Sequence, residues 1–92
     1  MHVVVQHEVL DREKMAGVNP QEINDGGPSG VQGLQTLPTA DASMVFCVWE
    51  TPSIETLRGY LDPITTGVLE NTYFEVDSDH ALGLPASTGA RA

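Results

Sequence analysis

The chain has 92 residues and a mass of 9.9 kDa, with four Lys or Arg against thirteen Asp or Glu, a formal net charge of -9. That length holds one domain at most, and the charge argues against nucleic acid or an anionic membrane surface as partner, since both need cationic side chains. No run of about 18 apolar residues exists to span a bilayer, and MHVVVQHEVLDRE has neither the basic start nor the apolar stretch of a signal peptide, so a cytoplasmic location is expected.

Residues 2–10, HVVVQHEVL, read as a strand. Alternation puts Val3, Val5, His7 and Val9 on one face and Val4, Gln6, Glu8 and Leu10 on the other. Asp11 is placed to cap a short turn over Arg12–Ala16, and Asn19-Pro20 offers a second helix start. NDGGPSG over 24–30 is a loop, so any helix before it is short or broken. Residues 31–37 read as a second strand and 43–50, SMVFCVWE, as a third, apolar on both faces and therefore central.

Ser53 is a good helix cap, and behind it Ile54, Leu57, Leu61, Ile64 and Val68 form one apolar stripe. Pro63 predicts a break: a helix over 53–61, then a second piece capped by Asp62. Residues 71–77 read as the last strand, with Thr72, Phe74 and Val76 toward the core and Tyr73, Glu75 and Asp77 away from it. A single domain over 1–80 followed by a flexible tail over 81–92 is expected.

This order predicts an α+β, ferredoxin-like βαββαβ fold. It has a four-stranded antiparallel sheet, both helical segments on one face, and strands 1 and 3 central. To place the strand ends, strand 1 is read as parallel to strand 3 and antiparallel to strand 4. One face of the sheet is left bare. Hiding that face favours a homodimer closed as an α+β barrel, since so short a chain buries only about 60–65% of its unfolded surface.

Phe46-Cys47-Val48-Trp49-Glu50-Thr51-Pro52-Ser53, followed by Glu55, Leu57 and Arg58, resembles small bacterial ferredoxin-like proteins, among them a nickel-binding family and its uncharacterised relatives. Gly30, Val31, Leu34 and Asp41 fit the same pattern, so the likeness covers about 30 residues. The resemblance implies a dimeric α+β barrel, and a divalent metal such as nickel as a possible cofactor. No metal-ligand motif aligns residue by residue. The region between strands 1 and 2 also lacks the long first helix of the family.

The expected topology gathers His7, Glu8, Trp49, Glu50, Tyr73 and Glu75 into one pocket at the strand ends. Glu75 and Glu8, with Tyr73, are the candidate catalytic residues: carboxylates for proton abstraction and a phenol as proton donor or oxyanion partner. The plainer reading makes this face solvated or paired across a dimer. His7 is the candidate metal ligand, and its plainer role is a hydrogen-bonded strand residue. Asp77, Asp79 and His80 offer a weaker metal site, more simply a polar turn, and His2 is more simply a solvated end. Cys47, the only cysteine, allows no intramolecular disulfide and no cysteine zinc cluster, and reads as buried filler.

Three functions follow. The first is a small homodimeric binding protein holding a metal ion or small molecule. The second is a cofactor-independent barrel enzyme, an isomerase, cyclase or oxygenase acting on an apolar or aromatic compound. The third is a non-catalytic interaction protein.

Overall fold

The protein is seen in a computed structural model that describes residues 1–85. Of the tail expected over 81–92, residues 86–92 lie outside the described residues. The elements are β1 (His2–Val9), α1 (Arg12–Ala16), α2 (Pro20–Asp25), β2 (Gln32–Pro38), β3 (Met44–Glu50), α3 (Ile54–Thr65) and β4 (Leu69–Glu75).

Local chemistry sets these boundaries. The Asp11 carboxylate accepts from Lys14 N at 3.0 Å and starts α1. Asn19 Oδ1 accepts from Gln21 N at 3.0 Å, and Pro20 supplies the first turn of α2 with its φ already set. Ser53 Oγ accepts from Thr56 N at 3.1 Å and opens α3. The first helical region is thus two short pieces, as the loop composition predicts.

The sheet order is β2-β3-β1-β4, with every neighbouring pair antiparallel. The helices lie on one side, giving the α+β ferredoxin-like arrangement. Val3, Val5, Val45, Cys47 and Trp49 of the central strands meet Leu57 and Leu61 of α3 in the core. β2 is irregular between Gly33 and Gln35. A Cβ on Gly33 would lie 2.5 Å from the Asn24 side chain, so the close approach of β2 to α2 needs glycine there.

Three expectations are corrected. β1 runs antiparallel to β3, not parallel. The helical crossover makes β1 parallel to β2, and the hairpin after β2 reverses β3 before it inserts between them. α3 is continuous to Thr65 with Pro63 in its last turn, so Asp62 caps nothing. Proline there removes only the hydrogen bond to residue 59, a glycine with open space around it. The faces of β4 are also reversed. Leu69 is buried and Tyr73 lies opposite Val5, so Leu69, Asn71 and Tyr73 face the helices while Phe74 faces out.

Candidate functional site

The six residues expected to share a pocket are dispersed. His7 pairs with Val45 near the start of β3, whereas Trp49 pairs with Val3 at the far end. His7 and Trp49 both face the helices. Glu8 is exposed on the open face, between Met44 and Glu70. Glu50 lies on the open face opposite His2, with His2 Nε2 and Glu50 Oε2 3.9 Å apart. Tyr73 faces the helices. Glu75 shares that phase but is exposed at the end of β4, opposite Val3. The candidate trio Glu75, Glu8 and Tyr73 is therefore split between two faces and two ends of the sheet, because both the direction of β3 and the phase of β4 differ from expectation.

What the fold does assemble is a polar chain running inward from α3. Tyr73 OH donates to Asp62 Oδ1 at 2.6 Å. Asn71 Nδ2 donates to the same oxygen at 3.1 Å and to Thr65 Oγ1 at 2.9 Å. Thr65 Oγ1 in turn donates to Leu61 O at 2.8 Å. These contacts fix the Asn71 amide, so its Oδ1 faces His7 Nδ1 at 2.5 Å. An amide oxygen only accepts, so His7 Nδ1 carries the hydrogen. In the neutral ring Nε2 is then left with its lone pair. The Arg58 guanidinium lies 5.1 Å from the Tyr73 ring centroid and covers the outer end of the chain.

Of these partners, the sequence marks Asp62 as a cap, puts Asn71 with Tyr73 at the start of the last strand, at the end where the pocket is expected, and gives Thr65 and Arg58 no part in a polar chain. The available signal was His7 itself: a histidine on a valine face must find a partner. Asn71, two positions from Leu69 on the same side of β4, was the place to look.

His7 is 4% exposed, and burial lowers its pKa against the opposing pull of the Asn71 hydrogen bond. The unfolded ring titrates near 6.5, so below that pH the unfolded chain binds more protons than the folded one. Stability from neutral His7 is complete above that pH. It falls as pH drops, with a slope of at most about 1.4 kcal/mol per pH unit until the folded ring protonates. Urea midpoints at pH 7.5, 6.5 and 5.5 should show this loss in the wild type. His7→Phe should flatten the slope; an equal slope in the variant would assign it to other groups.

The remaining candidates have structural roles. Burial raises the Cys47 thiol to about 11, which leaves it protonated and unsuited to nucleophilic attack. Asp41 accepts from Ser43 Oγ, Ser43 N and Thr39 Oγ1 in the β2–β3 turn, and the Ser43 hydroxyl foremost holds its carboxyl down to about 2. His80 Nδ1 lies 2.8 Å from Asp77 Oδ2 in an exposed turn. Among the described residues no group of three or more His, Cys, Asp or Glu stands where it could hold a metal ion.

The other distinctive surface is the open face of the sheet. Its central rows carry Val4, Val48, Phe46 and Phe74, with Leu37 on β2 beside Phe46. Phe74 and Leu37 are each 50% exposed. Gln6 and Thr72 interrupt the patch, and Glu8, Glu70 and Glu50 edge it.

No protein-family model and no curated protein matches this chain.

Proposed function

We propose that the protein is a small homodimeric binding protein whose two open sheet faces close around an apolar small molecule. The observation that carries this reading is the apolar open face. Helices cover only one side of the sheet, and the other side presents Val4, Phe46, Val48, Phe74 and Leu37 to water. An apolar patch on so short a chain favours association, since covering it adds burial that the single copy lacks.

The geometry supports the small-molecule form of this reading over the metal form. His7, the metal candidate, is buried on the helix side with Nδ1 engaged by Asn71, away from the open face. It also supports binding over catalysis. Tyr73 is turned toward α3 and hydrogen-bonded there, so among the described residues the open face has no phenol beside a carboxylate.

Sedimentation at micromolar concentration tests the proposal. The wild type is expected at about twice the 9.9 kDa chain mass, and Phe74→Glu at the single-chain mass with unchanged far-UV circular dichroism. The dimer is also expected to bind the apolar dye anilinonaphthalene sulfonate saturably, and the variant weakly. A wild type that sediments as one chain would remove the dimer, and a dimer that ignores the dye would remove the ligand.

A further inference from the structure

The sheet has two edges, β2 and β4, and they differ. β2 shifts register between Gly33 and Gln35 and ends in Pro38. α2 also lies against it, with Asn24 Nδ2 donating to Thr36 Oγ1 at 3.1 Å. Bulges, proline and a covering helix all close a strand edge to further pairing. β4 has neither the bulge nor the proline. Its seven residues run in unbroken register against β1.

The hydrogen bonds beyond the two ends of β4 show which of its main-chain groups are spare. Leu10 N donates to Val68 O at 2.9 Å, and Val76 N donates to His2 O at 3.0 Å. Bonded positions alternate along an antiparallel pair, so Glu70, Thr72 and Phe74 bond to β1. The N–H and C=O groups of Asn71, Tyr73 and Glu75 therefore point away from the sheet. None of these groups makes a hydrogen bond among the described residues.

Charge decides what such an edge accepts. Glu70 and Glu75 are exposed on β4, and Asp77 and Asp79 are exposed just beyond it. Asp62 adds a carboxylate on the helix side, where the Arg58 guanidinium lies over the Tyr73 ring. β4 itself carries no Lys or Arg. A second copy paired edge to edge would bring the same carboxylates and be repelled. A strand with cationic side chains meets complementary charge instead.

We infer that the free edge of β4 is a docking site for an extended, cationic segment of another protein, added as a fifth strand. Main-chain bonds to Asn71, Tyr73 and Glu75 supply affinity, and Lys or Arg at alternate positions near Glu70 and Glu75 supplies the choice of partner. On the open-face side Phe74, 50% exposed, favours an apolar neighbour. The edge lies at the side of the sheet, so strand addition there does not require the dimer proposed through the open face.

The test uses the full nitrogen-15-labelled chain and capped hexapeptides: Lys-Val-Lys-Val-Lys-Val, the same sequence with every backbone nitrogen methylated, and Glu-Val-Glu-Val-Glu-Val. The first should shift the amide resonances of Asn71, Tyr73 and Glu75 and slow their hydrogen exchange. Its binding should weaken about tenfold between about 0.05 and about 0.5 M salt. Glu75→Lys, at an exposed position, should weaken it about threefold with unchanged circular dichroism. Equal binding of the methylated peptide would mean charge attraction without strand pairing. Equal binding of the acidic peptide would mean pairing without a choice of cation. Either result overturns the inference, as does the absence of binding. Protection of these three amides in the free chain that grows with its concentration would assign the edge to a second copy, and overturns it as well.

Discussion

Replacing Trp49 with alanine is expected to remove about 3–5 kcal/mol of stability, the range for truncating a fully buried large aromatic. The ring is 1% exposed in the centre of the core. It also meets Tyr60 edge to face, with centroids 6.2 Å apart and planes at 68°. Tyr60 OH donates to Ile23 O at 2.7 Å, so the tryptophan supports the residue that ties α3 to α2. A domain of this size has a total of about 5–14 kcal/mol, so the variant should be largely unfolded in mild urea. Trp49→Phe is the informative companion. It keeps most of the apolar burial and deletes an N–H that has at best the weak Cys47 thiol as acceptor among the described residues, so about 1–2 kcal/mol is expected. Urea unfolding followed by circular dichroism measures both. A loss below about 1 kcal/mol for Trp49→Ala would contradict the packing described.

Asn71→Leu is expected to cost about 2–4 kcal/mol although it preserves volume. The change strands the His7 Nδ1–H in the interior, a penalty of about 1–3 kcal/mol, and removes the donor to Asp62 and Thr65. Asp62 would still accept from Tyr73 and Thr65 would still donate to Leu61, which bounds the damage. His7→Phe in the same chain should recover part of the loss, since deleting both partners is milder than deleting one. A double-mutant cycle on unfolding free energies should give a coupling of about 1–2 kcal/mol. Additive losses would mean that the His7–Asn71 bond contributes nothing to the fold.

The contrast between these two residues shows what the sequence could tell. Trp49 was legible: it ends an unbroken apolar run, and such a run reads as a central strand. The caps at Asp11, Asn19 and Ser53 were equally plain, because capping depends on one side chain and its nearest amides. His7 was correctly placed on the valine face by alternation alone. Asn71 was not legible as its partner, because that contact joins residues 64 positions apart. The phase of β4 misled for a related reason. Hydropathy prefers Phe74 inside to Tyr73, but the hydroxyl of Tyr73 has Asp62 to reach on the helix side, and the open face accepts Phe74. Pro63 misled because its cost depends on position: near the end of α3 it forfeits a single bond. The pocket expectation failed with the direction of β3, which moved Trp49 and Glu50 to the end of the sheet opposite His7 and Glu8.

The two short helices before β2 bury none of their own residues. Their attachment rests on half-buried Met15 and Ile23, on the Tyr60 hydrogen bond and, for α2, on Asn24 Nδ2, which donates to Thr36 Oγ1 of β2 at 3.1 Å. Segments with so little buried contact open at the low end of a protein's free-energy range, independently of its core. Amide protons of α1 and α2 should therefore exchange with solvent well before those of β1 and β3. Each such opening uncovers the inner wall of the sheet while the strands stay paired. His7 would then meet bulk solvent, and its proton equilibrium would be set by how often this segment lifts rather than by global unfolding.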